Sequence, residues 1–199
     1  MKKYPHKLIL GSKSPRRQSL LKELGFEFET HEVDVDESFS DKLKREEIPM
    51  YLAGKKCEEF GTIPDDSILI TSDTIVWLNE QAINKPQDRE DAIQILKKLS
   101  GRMHEVITAI CLRSSTNTKS FFVVTDVHFK KLSEEEIIYY VDNYKPFDKA
   151  GAYAIQEWIG YIGIEKINGS FYNVMGLPMK ELYEELWSFS EKESELIKN

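Results

Sequence analysis

The sequence has 199 residues, of which 41% are hydrophobic, so the chain is long enough to bury a core of about one domain. Lys and Arg number 27 against 34 for Asp and Glu, and the net charge of −7 argues against a protein that coats nucleic acid by neutralising its phosphates. The sequence has no apolar run of the roughly 20 residues that span a membrane, no signal-peptide pattern and no paired-cysteine motif, so we expect a cytoplasmic protein without membrane or nucleic-acid partners.

The first part of the sequence predicts two strands and two helices. Residues 7–10 form a short apolar strand, and Ser14 is suited to cap a helix over residues 15–24. Residues 26–36 are β-like, but their alternation changes phase midway, which indicates a bend or bulge. A second helix is expected over residues 49–60.

The middle of the sequence predicts three strands around one helix. Residues 67–78 form a strand rich in Ile, Val and Thr. Asp88 caps the helix that follows, and Gly101 marks its end. Residues 104–112 and 121–129 then form the two strands of a hairpin.

The last part of the sequence completes the predicted fold. A capping box at Ser133 starts a helix, a Gly-rich β segment is expected over residues 150–174, and a final helix starts at Pro178. Interleaved helices and strands that include a hairpin indicate an α/β fold with a mixed β-sheet flanked by helices. We expect one domain over residues 1–190 and a charged, frayed tail over residues 191–199.

Two arginines occupy the first turn of the helix that begins at residue 15, where the helix dipole favours acidic residues. Arg16 and Arg17 follow a strand and a small-residue loop that contains Ser12 and Ser14. Backbone N–H groups, hydroxyls and guanidinium groups at a helix start are suited to bind phosphate oxygens. The alternative is a solvated basic turn, and the loop lacks the pattern of a Walker A motif.

An acidic residue, Asp73, lies inside the apolar strand predicted over residues 67–78, where a carboxylate is costly unless it is paired or bound to a metal. A second acidic group, Asp34, Asp36 and Glu37, ends the preceding β-like stretch. Mg²⁺ takes one or two protein carboxylates together with phosphates and water, which these two groups can supply. The alternative is that Asp73 ends the strand and caps a turn.

Two lysines and a glutamine are further candidates for nucleotide binding. Lys56 shares the apolar stripe of its predicted helix, and Lys85 lies in a loop that Pro86 holds extended. Either lysine can point at a phosphate or remain a surface residue in solvent. The carboxamide of Gln156 offers a donor and an acceptor that match the edge of a nucleobase.

Several short segments occur along the sequence in a fixed order: LILGSKSPRR (8–17), SDTIV (72–76), KPQD (85–88), LSGRMHEV (99–106), DKAGAY (148–153) with IQ (155–156), and VMGLP (174–178). In these segments and their order the sequence resembles the Maf family of nucleotide pyrophosphatases, from Leu8 to Leu182. The resemblance implies a mixed-sheet α/β fold, similar to that of inosine triphosphate pyrophosphatases, and a homodimer.

The resemblance also implies roles for individual residues. Asp73 would be the catalytic acidic residue, as proton acceptor or as metal ligand, with Asp36 as a second acidic residue near a Mg²⁺ or Mn²⁺ ion. The residues expected to hold the triphosphate are Ser12, Arg17, Lys56 and Lys85. The residues that match the branch acting on dTTP and UTP, rather than the branch preferring 7-methyl-GTP, are Arg16, Thr74 and Gln156.

Four residues depart from the family pattern. Gly11 replaces an alanine, Asn84 replaces a glycine, and Ala154 and Glu157 replace glycines around Gln156. Because loss of a glycine removes backbone freedom and adds bulk, Glu157 alters the expected shape of the base pocket most. None of these departures touches the catalytic set.

The sequence therefore predicts a metal-dependent nucleoside triphosphate pyrophosphatase that acts on dTTP and UTP, or on modified pyrimidine nucleotides. One alternative is the same reaction on a modified or purine nucleotide. The other is a non-catalytic, nucleotide-binding regulator of cell division and septum formation, a role with which the family is also linked. The presence of Asp73, Lys56 and Lys85 favours an enzyme.

Overall fold

The computed structural model describes the backbone of residues 4–196 and the side chains of residues 4–193. In chain order, these residues form β1 (Lys7–Gly11), α1 (Pro15–Glu23), β2 (Phe28–His31), α2 (Glu47–Glu59), β3 (Ser67–Leu78), β4 (Gln81–Ile83), α3 (Arg89–Leu99), β5 (Met103–Arg113), β6 (Thr118–Phe129), α4 (Glu134–Tyr144), a 3-10 turn (Ala150–Ala152), α5 (Trp158–Gly163), β7 (Ile164–Asn168), α6 (Phe171–Val174) and α7 (Met179–Leu196).

The strands form a mixed sheet in the order β2-β1-β3-β5-β6-β7, with β4 paired to β3. β1 runs parallel to both β2 and β3, whereas β4 is antiparallel to β3 and β7 is antiparallel to β6. The predicted α/β class with a mixed sheet is therefore confirmed. Among residues 4–196, no helix combines the length and the apolarity that a membrane span requires.

The contacts of the chain divide it into two compact units. The first unit contains the described residues up to Asp73, residues 108–123 and the residues from Gly176 onward. The second unit contains residues 74–107 and 124–175. Whether the two units make up the single domain expected from the sequence stays a prediction.

In the first unit, α2 packs on β1 and β3 through a small apolar cluster. The buried members of this cluster are Ile9, Ala53, Cys57, Ile63, Leu69, Ala109 and Cys111. The Thr71 hydroxyl, buried in β3, donates a hydrogen bond to the Ala53 carbonyl at 2.7 Å. Because Cys57 is buried and Lys56 precedes it, this packing also fixes the position of Lys56.

In the second unit, α3 and α4 supply much of the apolar core. Their fully buried side chains include Leu96, Leu99, Tyr140 and Val141. Asp88 and Ser133 cap the two helices as predicted, and the capping box between Ser133 and Glu136 is complete. These local signals locate both helix starts correctly.

The prediction of a β segment over residues 150–174 is wrong, because only β7 is extended there. The glycines of this segment serve turns and close approaches. Gly151 has φ of 71°, and a Cβ atom there would lie 2.8 Å from a methyl group of Val76. A Cβ atom on Gly160 would lie 1.8 Å from the Ile155 carbonyl oxygen.

Three smaller differences concern the boundaries of elements. β4 forms a hairpin with β3 through a turn at Asn79 and Glu80, which have φ of 50° and 60°. This strand was not predicted, because three residues are too few to show an alternating pattern. α2 begins at Glu47, two residues before Pro49. The tail predicted to fray is helical through Leu196, and residues 197–199 lie outside the described residues. Leu182, Leu186 and Phe189 are buried at helical spacing. Glu193, one turn further on, is also buried and accepts a hydrogen bond from the Thr116 hydroxyl at 2.9 Å, which helps to hold the tail as helix.

Candidate active site

Asp73 is a buried carboxylate in β3, with 7% of its surface exposed. Its Oδ1 atom accepts a hydrogen bond from Lys56 Nζ at 2.7 Å. Burial raises the pKa of Asp73 above its usual value, although the positive charges of Lys56 and Arg17 oppose the shift. A carboxylate with a raised pKa and a cationic partner is suited to accept a proton or bind a metal ion.

Lys56 connects two acidic residues of the first unit. It extends from α2, is 8% exposed, and also donates to Glu37 Oε1 at 3.0 Å. A lysine that is buried on this scale needs charge compensation, and Glu37 and Asp73 provide it. The alternative interpretation of Lys56 as a surface residue in solvent is therefore wrong.

Arg17 holds the main chain next to Asp73. Its Nε donates to the Gly176 carbonyl and its NH1 to the Ser72 carbonyl, each at 2.9 Å. Burial lowers the pKa of the guanidinium, and the nearby charge of Asp73 opposes that shift. In this geometry Arg17 positions the strand that carries Asp73, and its role in holding a triphosphate stays a prediction.

The loop before α1 is ordered by its two serines. Ser14 caps the helix by accepting a hydrogen bond from the Arg17 N–H at 3.5 Å, and the Ser14 N–H donates to Ser12 Oγ at 3.2 Å. Ser12 is buried, while Arg16 is half-buried and close enough for its charge to lower the pKa of Arg17. Two positive side chains therefore lie at this helix start, and their binding of a phosphate group stays a prediction.

Asp36 lies outside the group around Lys56. Its side chain is 74% exposed, and its carboxylate accepts hydrogen bonds from the Ser38 hydroxyl at 2.5 Å and the Ser38 N–H at 2.9 Å. These bonds lower the pKa of Asp36. The residue whose carboxylate contacts Lys56 is its neighbour Glu37, because the turn at Ser38 engages Asp36. A role for Asp36 in metal binding stays a prediction.

The residues around Lys56 fit a divalent cation of the Mg²⁺ type. Carboxylate oxygens of Asp73 and Glu37 converge on one positively charged atom, Lys56 Nζ, which marks a place where a cation is stabilised. No group of three or more His, Cys, Asp or Glu side chains suited to a metal occurs in the described part of the chain. Mg²⁺ needs only one or two protein carboxylates when phosphates and water complete its shell.

The other three predicted residues belong to the second unit. Thr74 is half-buried on β3, and Lys85 is exposed in the loop after β4. The Asn84 carbonyl, beside Lys85, accepts a hydrogen bond from the Gly151 N–H at 3.3 Å, which ties this loop to the segment that leads to Gln156. Gln156 is half-buried on a loop before α5.

Sequence reasoning assigned no role to three residues that lie at these two sites, Glu37, Tyr140 and Lys149, and for a fourth, Glu157, it gave only an effect on the shape of the base pocket. Glu37 was grouped with Asp36 but not assigned a role, and only the packing of α2 shows that it contacts Lys56. Tyr140, Lys149 and Glu157 form a polar network next to Gln156 in the second unit. The one sequence signal for this network was the charged residue Glu157 at a position where glycine was expected.

The comparisons with known proteins agree with the resemblance. A model of the family described as Maf-like protein matches residues 7–189. The dTTP/UTP pyrophosphatase of Parabacteroides distasonis is 51% identical over 191 residues, which cover 95% of this chain and 98% of that protein. A protein of the same name from Porphyromonas gingivalis is 48% identical, over 96% of this chain and 97% of the relative. Among solved structures, the Ham1 protein of Staphylococcus aureus is 15% identical with a TM-score of 0.44, over 62% of this chain and 71% of that chain.

Proposed function

Because the chain belongs to the Maf-like family, we propose that it hydrolyses dTTP and UTP to the nucleoside monophosphate and pyrophosphate. Relatives that are 48% to 51% identical over nearly the whole chain have the name dTTP/UTP pyrophosphatase. The observation in the structure that carries the proposal is the buried pair of Asp73 and Lys56, at 2.7 Å. A buried carboxylate with a raised pKa is the kind of group that hydrolytic enzymes use to handle a proton.

The proposed reaction is attack of water on the α-phosphorus of the nucleotide. A bond forms between the water oxygen and the α-phosphorus, and the bond to the bridging oxygen of pyrophosphate breaks. Asp73 orients the water and accepts its proton, or else acts as a metal ligand. Lys56, Lys85, Arg17 and Ser12 stabilise negative charge on the phosphate oxygens.

A divalent cation, Mg²⁺ or Mn²⁺, would be held by Asp73 with Glu37 or Asp36, and when bound it supplies further charge neutralisation on the phosphate oxygens. Lys56, which contacts both Asp73 and Glu37 in this structure, would then contribute its positive charge to binding of the phosphate oxygens. Arg16, Thr74 and Gln156 select the base of the nucleotide. These three residues thereby favour dTTP and UTP over 7-methyl-GTP. The enzyme is expected to work in the cytoplasm as a homodimer.

Replacement of Asp73 by Asn tests the assignment of the catalytic residue. Asp73→Asn removes the proton acceptor and the negative charge, so the rate of UTP hydrolysis should fall by about a hundredfold or more. The rate is measured as release of pyrophosphate. In a second measurement, hydrolysis by the wild type in ¹⁸O-labelled water should place the label in UMP and not in pyrophosphate. Label in pyrophosphate would contradict attack on the α-phosphorus.

The matched control is Asp66→Asn, which changes an exposed carboxylate just before β3 that pairs with Lys7. This variant should retain the wild-type rate. Thermal unfolding of both variants separates lost chemistry from lost folding. Equal rates for wild type and a folded Asp73→Asn would exclude Asp73 as the catalytic residue.

A further inference from the structure

The loop that contains Gln156 is tied to α4 by one buried hydroxyl. Tyr140 OH accepts a hydrogen bond from the Ala154 N–H at 3.1 Å and donates to the Glu157 carboxylate. Tyr140 is fully buried. Two causes raise the pKa of its hydroxyl above the usual value: burial, which is the larger, and the nearby Glu157 carboxylate. The hydroxyl therefore stays protonated at neutral pH and connects both sides of Gln156 to α4.

The negative charge of Glu157 is balanced by a buried lysine. Lys149 is 8% exposed, and its Nζ lies 3.6 Å from Glu157 Oε1 and 2.7 Å from Asp148 Oδ1. Lys149 immediately precedes the 3-10 turn. In this turn the Gly151 N–H donates a hydrogen bond to the Asn84 carbonyl. Lys149, Tyr140 and Glu157, which we call the Gln156 support, therefore connect the Gln156 loop to two neighbouring segments of the second unit.

The side chain of Gln156 has an unused acceptor. Its Oε1 atom is shielded from solvent and has no hydrogen-bond partner among the described residues. Its main-chain carbonyl, in contrast, accepts a hydrogen bond from the Tyr161 hydroxyl at 2.5 Å. Because an unsatisfied buried acceptor is unfavourable, the arrangement is suited to a ligand that brings a donor to this atom.

A uracil or thymine ring brings such a donor at N3–H, with an acceptor at O4 beside it. Cytosine has the reverse pattern, with an acceptor at N3 and a donor at the 4-amino group. A glutamine amide that rotates freely can match either base, because rotation by half a turn exchanges its oxygen and nitrogen. Selection of uracil over cytosine therefore requires that the amide of Gln156 is held in one orientation.

We propose that Glu157, through the Gln156 support, is a positioning residue that orients Gln156 and sets the preference for uracil and thymine over cytosine. The inference rests on the proposed function, since it concerns the same base site. It extends that function because it assigns a part in base selection to residues outside the predicted base-contacting set, namely Tyr140, Lys149 and Glu157. Glu157 itself is not assigned a contact with the substrate.

The test compares kcat/KM for UTP with kcat/KM for CTP in three variants. Tyr140→Phe removes both hydrogen bonds but retains the ring, and Glu157→Gly removes the carboxylate. Both variants should lower the ratio of kcat/KM for UTP to kcat/KM for CTP by about tenfold, which is the effect of losing one buried hydrogen bond. The value of kcat for UTP should stay close to that of the wild type. Glu157→Gln retains an acceptor for Tyr140 and should give an intermediate ratio. The control, Glu165→Gln, changes an exposed carboxylate beyond α5 and should leave the ratio unchanged.

A purely structural role would lower stability, or lower kcat for both nucleotides alike, without changing the ratio. An unchanged ratio in folded Tyr140→Phe and Glu157→Gly would therefore overturn the inference. Binding of UTP and CTP, measured by calorimetry in EDTA, provides a readout that does not need turnover. Absence of hydrolysis by the wild type would contradict the proposed function alone, whereas equal affinity of the wild type for UTP and CTP would overturn the inference.

Discussion

At the residue scale, the ion pair between Lys56 and Asp73 is expected to matter for stability as well as for turnover. Removal of one partner of a buried pair leaves the other charge uncompensated, which typically costs about 3–5 kcal/mol. Lys56→Met should therefore lower the free energy of unfolding by an amount near that range. Urea denaturation at pH 7 measures the change.

Two further variants separate the loss of stability caused by breaking the Lys56–Asp73 pair from the loss caused by removing any lysine side chain. In Lys56→Met/Asp73→Asn the uncompensated carboxylate is absent, so part of the lost stability should return. Lys55→Met changes the preceding lysine, whose ammonium group donates to the Asp36 main-chain carbonyl at 2.5 Å and lies 4.0 Å from the exposed Asp36 carboxylate. Because these contacts are exposed to solvent, this variant should cost less than about 1 kcal/mol. Equal destabilisation by Lys55→Met and Lys56→Met would contradict this account of the pair.

His104 gives a prediction for the dependence of stability on pH. It is buried in β5, where its Nε2 atom lies 2.8 Å from the Tyr153 hydroxyl. Burial, with a smaller effect from His128, lowers the pKa of His104 from 6.5 to about 3. Between these values the unfolded chain binds a proton that the folded chain does not. The contribution of His104 to stability is therefore complete above pH 6.5 and is lost as the pH falls toward 3.

Below pH 6.5, the pKa of His104 in the unfolded chain, the free energy of unfolding should fall by up to about 1.4 kcal/mol per pH unit because of this group. His104→Gln removes this group, so its free energy of unfolding should fall less steeply than that of the wild type between pH 7 and pH 5. His31→Gln changes an exposed histidine and serves as the control. Parallel curves for the wild type and His104→Gln would show that His104 is not a buried neutral histidine.

At the scale of elements, local chemistry decided which parts of the fold were predictable. The helix starts at Ser14, Asp88 and Ser133 were predicted correctly because the capping side chain and the N–H groups it accepts from lie within three residues of each other. Strand β4 was missed because it has only three residues, too few to show an alternating pattern. Residues 150–174 were misassigned because their glycines meet atoms that sequence patterns do not reveal, such as the Val76 methyl group.

Two glycines with opposite surroundings test this account of the elements. Gly160 in α5 has no room for a Cβ atom beside the Ile155 carbonyl, whereas a Cβ atom on Gly54 in α2 would meet nothing within 4 Å. Gly160→Ala should be strongly destabilising and should weaken UTP binding, because the Gln156 loop must move. Gly54→Ala should stabilise the protein by about 0.5–1 kcal/mol through helix propensity. Thermal unfolding that ranks the two variants in the reverse order would contradict these packing environments.

At the scale of the whole molecule, the family and the mixed sheet were readable from the sequence, but the partners of the charged residues were not. Lys56 and Asp73 are 17 positions apart, and the packing of α2 on β3 brings them together. Lys56 and Glu37 are 19 positions apart, and the path of the segment between β2 and α2 brings Glu37 to Lys56. The same holds for Tyr140 and Glu157, which lie on different elements. Sequence patterns therefore identified candidate residues, and the fold determined which of them are in contact.

The most direct test of the central claim is the initial rate of pyrophosphate release from UTP, dTTP, CTP and GTP, with Mg²⁺ or Mn²⁺ present. The account predicts rapid release from UTP and dTTP, slow release from CTP and GTP, and loss of both fast reactions in Asp73→Asn. Absence of release from all four nucleotides, by folded wild-type protein with either metal, would contradict the account. That result would favour a non-catalytic role in cell division or a modified nucleotide as the substrate.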